Sequence, residues 1–337
     1  MRILIVQTGF LGDVILSTPV IGALRRLYPE AELWFLTTPQ AAELLRRDPA
    51  LTGVIVFDKS GAEKGIRGSL KLSKKLRSMG FSRAYSIHKS FRTAWILAAA
   101  RIPRRIGFSD AKGSWLYHER VDRPQNEHEV RRALSIVSGI AEDEELRLFP
   151  PAKSELSEEC AVLGTGYTVV VPGSVWATKR WKASGYHECV AALVARGEEV
   201  VVLGASSERA AAEEVSKGLR VWNLAGRTSL PELLYIISKA RTVICNDSMA
   251  LHIASAFKVP TVTVFCATSP KFGFGPWRNS AEVVERVGLY CKPCRRHGSM
   301  QCPTKTWACI NEVSSREVLE AVDRVREHGR HGRTDAA

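Results

Sequence analysis

Two apolar stretches, "ILIV" at residues 3–6 and "YTVVVPG" at 167–173, each open a long alternation of short apolar runs with segments whose apolar residues recur at helical spacing. In the first cycle "ILIV" leads to "VILSTPVIGALRRL", then "AELWFLT", "PQAAELLRR", "GVIVF", "SLKLSKKLRSM", "AYSI" and the helical "EVRRALSIVSGI". The second cycle runs through "ASGYHECVAALVAR", "EVVVLG", a helix from about Ser206, "VWNLAG", "LPELLYIISKA", "TVICN", a helix from about Ser248 and "TVTVF". Strands that alternate with helices form a parallel sheet covered on both faces, because parallel neighbours need a crossover connection and the helix supplies it. Two such cycles predict an α/β protein of two Rossmann-like domains, with ligands bound between them, beyond the carboxyl ends of the strands.

A length of 337 residues suits two domains. The charged, proline-bearing segment "AEDEELRLFPPAKSELSEE" at 141–159 is the linker, giving domains of 1–155 and 156–337, and the tail "REHGRHGRTDAA" is expected to be disordered. No apolar run approaches the ~18 residues of a membrane span, and the apolar stretch in "MRILIVQTGFLGDV" is too short for a signal peptide. A cytoplasmic protein is expected. A formal charge of +13 implies an anionic partner, whether nucleic acid, lipid headgroups or a phosphorylated substrate. The basic residues are scattered and no nucleic-acid-binding signature is present, so nucleic acid is not the expected partner.

The loops that leave strand carboxyl ends hold the candidate chemistry. The first offers Gln7, Thr8, Gly9, Gly12 and Asp13; its glycines fit neither G-x-G-x-x-G nor the P-loop pattern. Asp13 reads equally as a helix N-cap or as a general base. In "VPGSVWATKRW" a strand ends in Pro172-Gly173 and presents Ser174, Thr178, Lys179 and Arg180, a combination suited to an anion, or else a solvated basic loop. Later loops add Gly204, Ser206 and Glu208, then Asn246, Asp247 and Ser248, and lastly Thr268 and Ser269. Asp247 either caps the helix "SMALHIASAF", with His252 a buried histidine one turn in, or stands beside a diphosphate held on the N–H groups of Ser248 and Met249.

Taken in order, "GFLGDVILSTPVIGALRRLYPEAE", "RIPRRIGF", "HEVRRAL", "PGSVWATKRW", "LAGRTSLPELLYIISKARTVICNDSMALHIA" and "CKPCRRHGSMQCPTKTWACI" resemble glycosyltransferase family 9, the ADP-heptose:lipopolysaccharide heptosyltransferases, and most of all its heptosyltransferase II members. The resemblance implies the GT-B fold, two Rossmann-like domains facing across a cleft, with a C-terminal helix over about 314–327 returning to the first domain. It implies inverting transfer from ADP-L-glycero-β-D-manno-heptose without a catalytic metal or cofactor. Asp13 would be the base, Gly12 its neighbour on the acceptor side, and Ser174, Thr178, Lys179, Glu208, Asp247, Ser248, Met249 and His252 the donor site. Met249 stands where relatives often have glycine, and "ATSP" at 267–270 where T-D-P is common. The implied acceptor is the phosphorylated Kdo–lipid A core at the inner face of the inner membrane, with Arg101, Arg104 and Arg105 as its contacts; the same positions also read as surface charge. Other readings of the residues are a transferase of another nucleotide sugar in surface-polysaccharide assembly and a basic, non-enzymatic Rossmann-like module.

Cys291, Cys294, Cys302 and Cys309 are spaced C-x2-C-x7-C-x6-C, which raises a tetrahedral structural zinc; reduced thiols without metal are the alternative. Cys160, Cys189, Cys245 and Cys266 read as small core residues.

Overall fold

The computed structural model describes residues 1–137 and 145–334, with side chains to His328. The chain divides into two compact units, Met1–Phe149 and Pro150–Ala337, where the sequence suggests a boundary at 155/156. Part of the predicted linker, the end of the helix predicted over 129–140 and the last three residues of the predicted disordered tail lie outside the described residues.

The first unit holds β1 (Arg2–Val6), β2 (Glu32–Thr37), β3 (Gly53–Val56), β4 (Arg83–Ser86), β5 (Arg104–Phe108) and β6 (Glu119–Val121). The second holds β7 (Thr168–Val171), β8 (Val200–Val202), β9 (Trp222–Asn223), β10 (Thr242–Asn246), β11 (Thr261–Phe265) and β12 (Ala281–Glu285). Among the described residues these form two six-stranded sheets, ordered β3-β2-β1-β4-β5-β6 and β12-β11-β10-β7-β8-β9. All neighbours are parallel. Each sheet thus repeats the doubly wound order, reversing beside β1 in one and beside β7 in the other. At those reversals the loops after β1 and β7 stand clear of a crossover, which is where such sheets bind ligands.

The central strands are buried on both faces, so they read as unbroken apolar runs: Ile3 to Val6 and Val169 to Val170 are fully buried. Strands β5, β6 and β12 are absent from the sequence reading, because "RRIGF", "ERV" and "AEVVE" carry charge and lack such runs.

The C-terminal helix is Ser315–Thr334, which carries helix into most of the tail predicted to be disordered. Its apolar stripe, Val318, Ala321, Val322 and Val325, is buried in the second unit's core with Val262, Val264 and Tyr186, so the expected packing on the first domain is not what this stripe does. Arg326 extends the anchorage, with Nη1 2.7 Å from Glu198 Oε1, Nε donating to Thr242 Oγ1 at 2.8 Å and Nη2 to Thr168 Oγ1 at 2.8 Å. These partners lie at or beside the amino ends of β7, β8 and β10, so the helix is tied to the edge opposite the candidate site. Among the described residues no helix is long and apolar enough to cross a membrane.

Candidate active site

In the first unit Asp13 is the third residue of the Leu11–Ser17 helix, and its Oδ2 accepts the Phe10 N–H at 3.1 Å. It therefore reaches back to the N-cap residue, Phe10, and is not itself the N-cap. Gly9 leaves room for it: a Cβ there would stand 2.9 Å from Asp13 Oδ2. Gly12 is the preceding residue of the same helix.

The rest of that loop is tied to its neighbours. Gln7 Oε1 accepts Gly9 N–H at 3.1 Å, and Lys59, from the loop after β3, donates to Thr8 O at 2.6 Å. His88, after β4, has Nδ1 3.0 Å from Thr8 Oγ1 and 2.9 Å from Thr93 Oγ1. Burial, with the Lys59 ammonium nearby, pushes the His88 imidazole down to about 4, so it is neutral at pH 7. Lys59 is itself lowered by burial and by Arg92. The sequence reading missed Lys59 and His88; their signal is position alone, directly after strands β3 and β4.

Arg101, Arg104 and Arg105 lie elsewhere. Arg104 and Arg105 begin β5, Arg104 pairs in register with Arg83 at the start of β4, and Arg101 precedes the strand, so all three occupy the amino edge of the sheet, opposite Asp13. Arg104 is paired with Glu119, and Arg105 donates to Leu116 O at 2.8 Å and Ile102 O at 2.7 Å. A parallel sheet puts its ligand loops at the other edge, so the expected acceptor role for these arginines is not supported by their placement.

In the second unit the predicted donor residues converge at the carboxyl edge. Lys179 Nζ lies 2.6 Å from Asp247 Oδ2, Thr268 Oγ1 donates to the same oxygen at 2.6 Å, and Ser174 Oγ to Asp247 O at 3.4 Å. The buried Asp247 is thus an ion-pair partner, and Ser248 is the N-cap residue of the Met249–Ala256 helix. Ser248 makes no side-chain cap bond; its Oγ is buried without a hydrogen-bond partner, at a helix end where the first N–H groups have no partner within the helix. Met249 opens that helix and His252, buried, completes its first turn.

Asn246, fully buried at the end of β10, fixes the geometry. Its Oδ1 accepts Trp181 N–H at 2.9 Å, and Nδ2 donates to Pro172 O at 2.8 Å and Gly173 O at 3.3 Å, joining the start and end of the Pro172–Trp181 loop. Glu208 accepts Ala205 N–H at 2.8 Å and presses on Gly173, where any Cβ would collide with its carboxylate. Thr178 is tied to the cysteine-rich segment. Its backbone N–H and hydroxyl both donate to Ser299 O, at 3.0 and 2.9 Å, and the hydroxyl accepts Ser299 N–H at 2.8 Å. Its hydroxyl is engaged with the cysteine-rich segment and braces that segment against this loop.

That segment lies against the same loop: a Cβ on Gly298, whose φ is +80°, would be 3.0 Å from Trp176 Cβ and 3.2 Å from Lys179 Cγ. Its cysteines lie near enough to act on one another electrostatically, yet three of them have local settings of their own. Cys294 Sγ donates to Cys291 O at 2.9 Å, Cys302 Sγ is 3.4 Å from Thr304 Oγ1, and Cys309 is buried in the core. Among the described residues no group of three or more His, Cys, Asp or Glu side chains could hold a metal ion, so the zinc reading of Cys291, Cys294, Cys302 and Cys309 finds no site.

The sequence profile of glycosyltransferase family 9 (heptosyltransferase) matches residues 69–307. Lipopolysaccharide heptosyltransferase 2 of Escherichia coli (strain K12) is 28% identical over 319 residues, 87% of this chain and 90% of that protein. Among solved structures, E. coli ADP-heptose lps heptosyltransferase II superposes with a TM-score of 0.78 at 22% identity, covering 98% of this chain and 100% of that one. The family 9 glycosyltransferase of Veillonella parvula gives 0.82 at 20% identity, with 97% of each chain covered. The shared fold is GT-B, two doubly wound Rossmann-like domains. With the family profile covering more than half of its length, this chain belongs to glycosyltransferase family 9, the heptosyltransferases, and is a glycosyltransferase.

Proposed function

We propose that the protein transfers L-glycero-D-manno-heptose from ADP-heptose, with inversion, to the heptosyl-Kdo–lipid A inner core of lipopolysaccharide, working at the cytoplasmic face of the inner membrane. The observation that carries this reading is the half-buried Lys179 paired with the buried Asp247, beside the unpartnered Ser248 hydroxyl at a helix start. An ion pair in such a place is held at a desolvation cost, and an arriving diphosphate would take over the lysine charge while the hydroxyl and first-turn N–H groups receive phosphate oxygens.

In the transfer, Asp13 accepts the proton of the acceptor hydroxyl as its oxygen bonds to the anomeric carbon. The bond from that carbon to the diphosphate breaks on the opposite face, and ADP departs with the electron pair. Positive charge grows on the sugar and negative charge on the leaving group, so Lys179 and the helix start stabilise the transition state more than the ground state. Asp247 then hydrogen-bonds sugar hydroxyls, Glu208 the ribose, and His252 the phosphates. On the acceptor side, Lys59 and the neutral His88 flank the Asp13 loop and replace the arginines as contacts for an anionic acceptor.

Calorimetric titration with ADP, GDP and UDP tests the donor half. ADP is expected to bind selectively, and Lys179→Ala to weaken it by roughly 10- to 100-fold, the worth of a charge-assisted hydrogen bond. Preference for GDP or UDP would point to another nucleotide sugar, and binding of none of the three would remove the donor assignment.

A further inference from the structure

Five large apolar side chains are exposed along one edge of the first unit: Phe10, Ile66, Leu70, Phe91 and Trp115. Phe10 is 61% exposed, Ile66 75% and Trp115 69%. Phe10 follows β1, Ile66 opens the Gly65–Ser78 helix that follows β3, Phe91 opens the helix that follows β4, and Trp115 follows β5. In a parallel sheet all of these connections leave the same edge, here the edge that carries Asp13.

The side chains are held in place. The rings of Phe91 and Trp115 are 6.0 Å apart at 37°, and Gly113, at φ +88°, brings its backbone against Phe91, a conformation and a proximity that another residue would disturb. Lys112 N–H donates to Lys89 O at 3.0 Å, and His88 Nδ1 lies 3.0 Å from Thr8 Oγ1, which ties the loops carrying Trp115, Phe91 and Phe10 to one another.

The surrounding charge is positive. The Gly65–Ser78 helix contains no acidic residue, and Arg67 and Lys71 are exposed beside Ile66 and Leu70. Lys64, Arg92 and Lys112 are exposed nearby; of the acids at this edge, Asp110 is paired with Lys89 at 2.7 Å, Glu63 accepts Asp58 N–H at 2.9 Å, Asp58 accepts Gly61 N–H at 2.8 Å and Ala62 N–H at 3.0 Å, and Asp122 accepts the Ser109 hydroxyl at 2.7 Å. Scattered apolar residues are normal on any surface, but aromatic and aliphatic side chains gathered at one edge and ringed by lysine and arginine match the interface of an anionic bilayer.

We propose that this edge of the first unit, centred on Phe91 and Trp115 with Arg67 and Lys71, is the surface that docks on anionic phospholipid. The inference deepens the proposed function and rests on it for why a bilayer is at hand, and it gives part of the basic charge a specific use.

The test is co-sedimentation of the full chain with vesicles of phosphatidylcholine alone and of phosphatidylcholine mixed with phosphatidylglycerol. The expected result is binding to the mixed vesicles only, reversed by salt. Arg67→Gln with Lys71→Gln should lower partitioning by about fivefold per charge, and Phe91→Ser with Trp115→Ser by tenfold or more. Both variants should keep the wild-type ADP affinity and melting temperature. Equal pelleting with neutral vesicles, no pelleting, or unchanged partitioning of either variant would overturn the proposal. So would a concentration-dependent dimer, seen by sedimentation velocity, that the aromatic variant abolishes while its vesicle binding persists. Wild-type protein that binds the mixed vesicles but not ADP would defeat the donor assignment and leave the docking surface standing.

Discussion

Asp247 shows how one of two readings of a side chain falls away once its neighbours are in place. Its position after an apolar run puts it at a strand's carboxyl end, but "ND" before a helix reads as a cap, whereas the cap is Ser248 and the carboxylate belongs to Lys179 and Thr268. Asn246 was less legible still. Nothing in "TVICND" says that the amide serves three backbone groups 65 to 74 residues away. Asn246→Leu keeps the branched shape, adds bulk and removes the amide, leaving Trp181 N–H and Pro172 O unsatisfied; unfolding in urea should show a loss of roughly 2–5 kcal/mol, with ADP affinity falling as well. A second prediction concerns His88. Because its imidazole is depressed from 6.5 to about 4 in the folded protein, the unfolded chain takes up the proton first, and stability must fall as pH drops through that window. His88→Asn should flatten the fall by roughly 3 kcal/mol at most, read from urea midpoints between pH 7 and pH 4; an unchanged slope would show that His88 takes up its proton as readily in the folded chain as in the unfolded one.

At the scale of elements, the sequence was most readable where burial is complete. Strands β1, β7, β10 and β11 stand out because parallel strands covered on both faces need consecutive apolar residues. Strands towards the border of a sheet escape that rule: "RRIGF", next to the border strand β6, offered its arginines as acceptor contacts, although they start the strand at its amino end. Direction in the sheet, which the alternation itself implies, is what separates Arg104 from Lys59 as a candidate ligand contact. The C-terminal helix was foreseen as a helix but not in its packing, since its apolar stripe gives no address. Arg326 gives one. Arg326→Met should cost roughly 2–4 kcal/mol, because it leaves the half-buried Glu198 without its cation while keeping the bulk of the side chain. Thermal unfolding would check this, and no shift in melting temperature would show that the helix is held by its apolar stripe alone.

For the whole molecule, the charge of +13 is informative through its distribution. The first unit sets a basic rim around exposed aromatics, while in the second the charge of Lys179 is drawn inward against Asp247. Two sheets of the same order carry different loops at their reversal points, one with a carboxylate at the start of a helix and one with a lysine and an unsatisfied hydroxyl. The most direct measurement is therefore transfer itself: ADP release and heptosylated product formed from ADP-heptose and an inner-core acceptor, compared for wild type and Asp13→Ala alongside their ADP affinities. The account predicts product of inverted anomeric configuration from the wild type and a loss of at least 100-fold in turnover for the variant, as expected for removal of a general base, with ADP binding unchanged. Wild-type turnover retained in Asp13→Ala, or no transfer from ADP-heptose by the wild type, would contradict it.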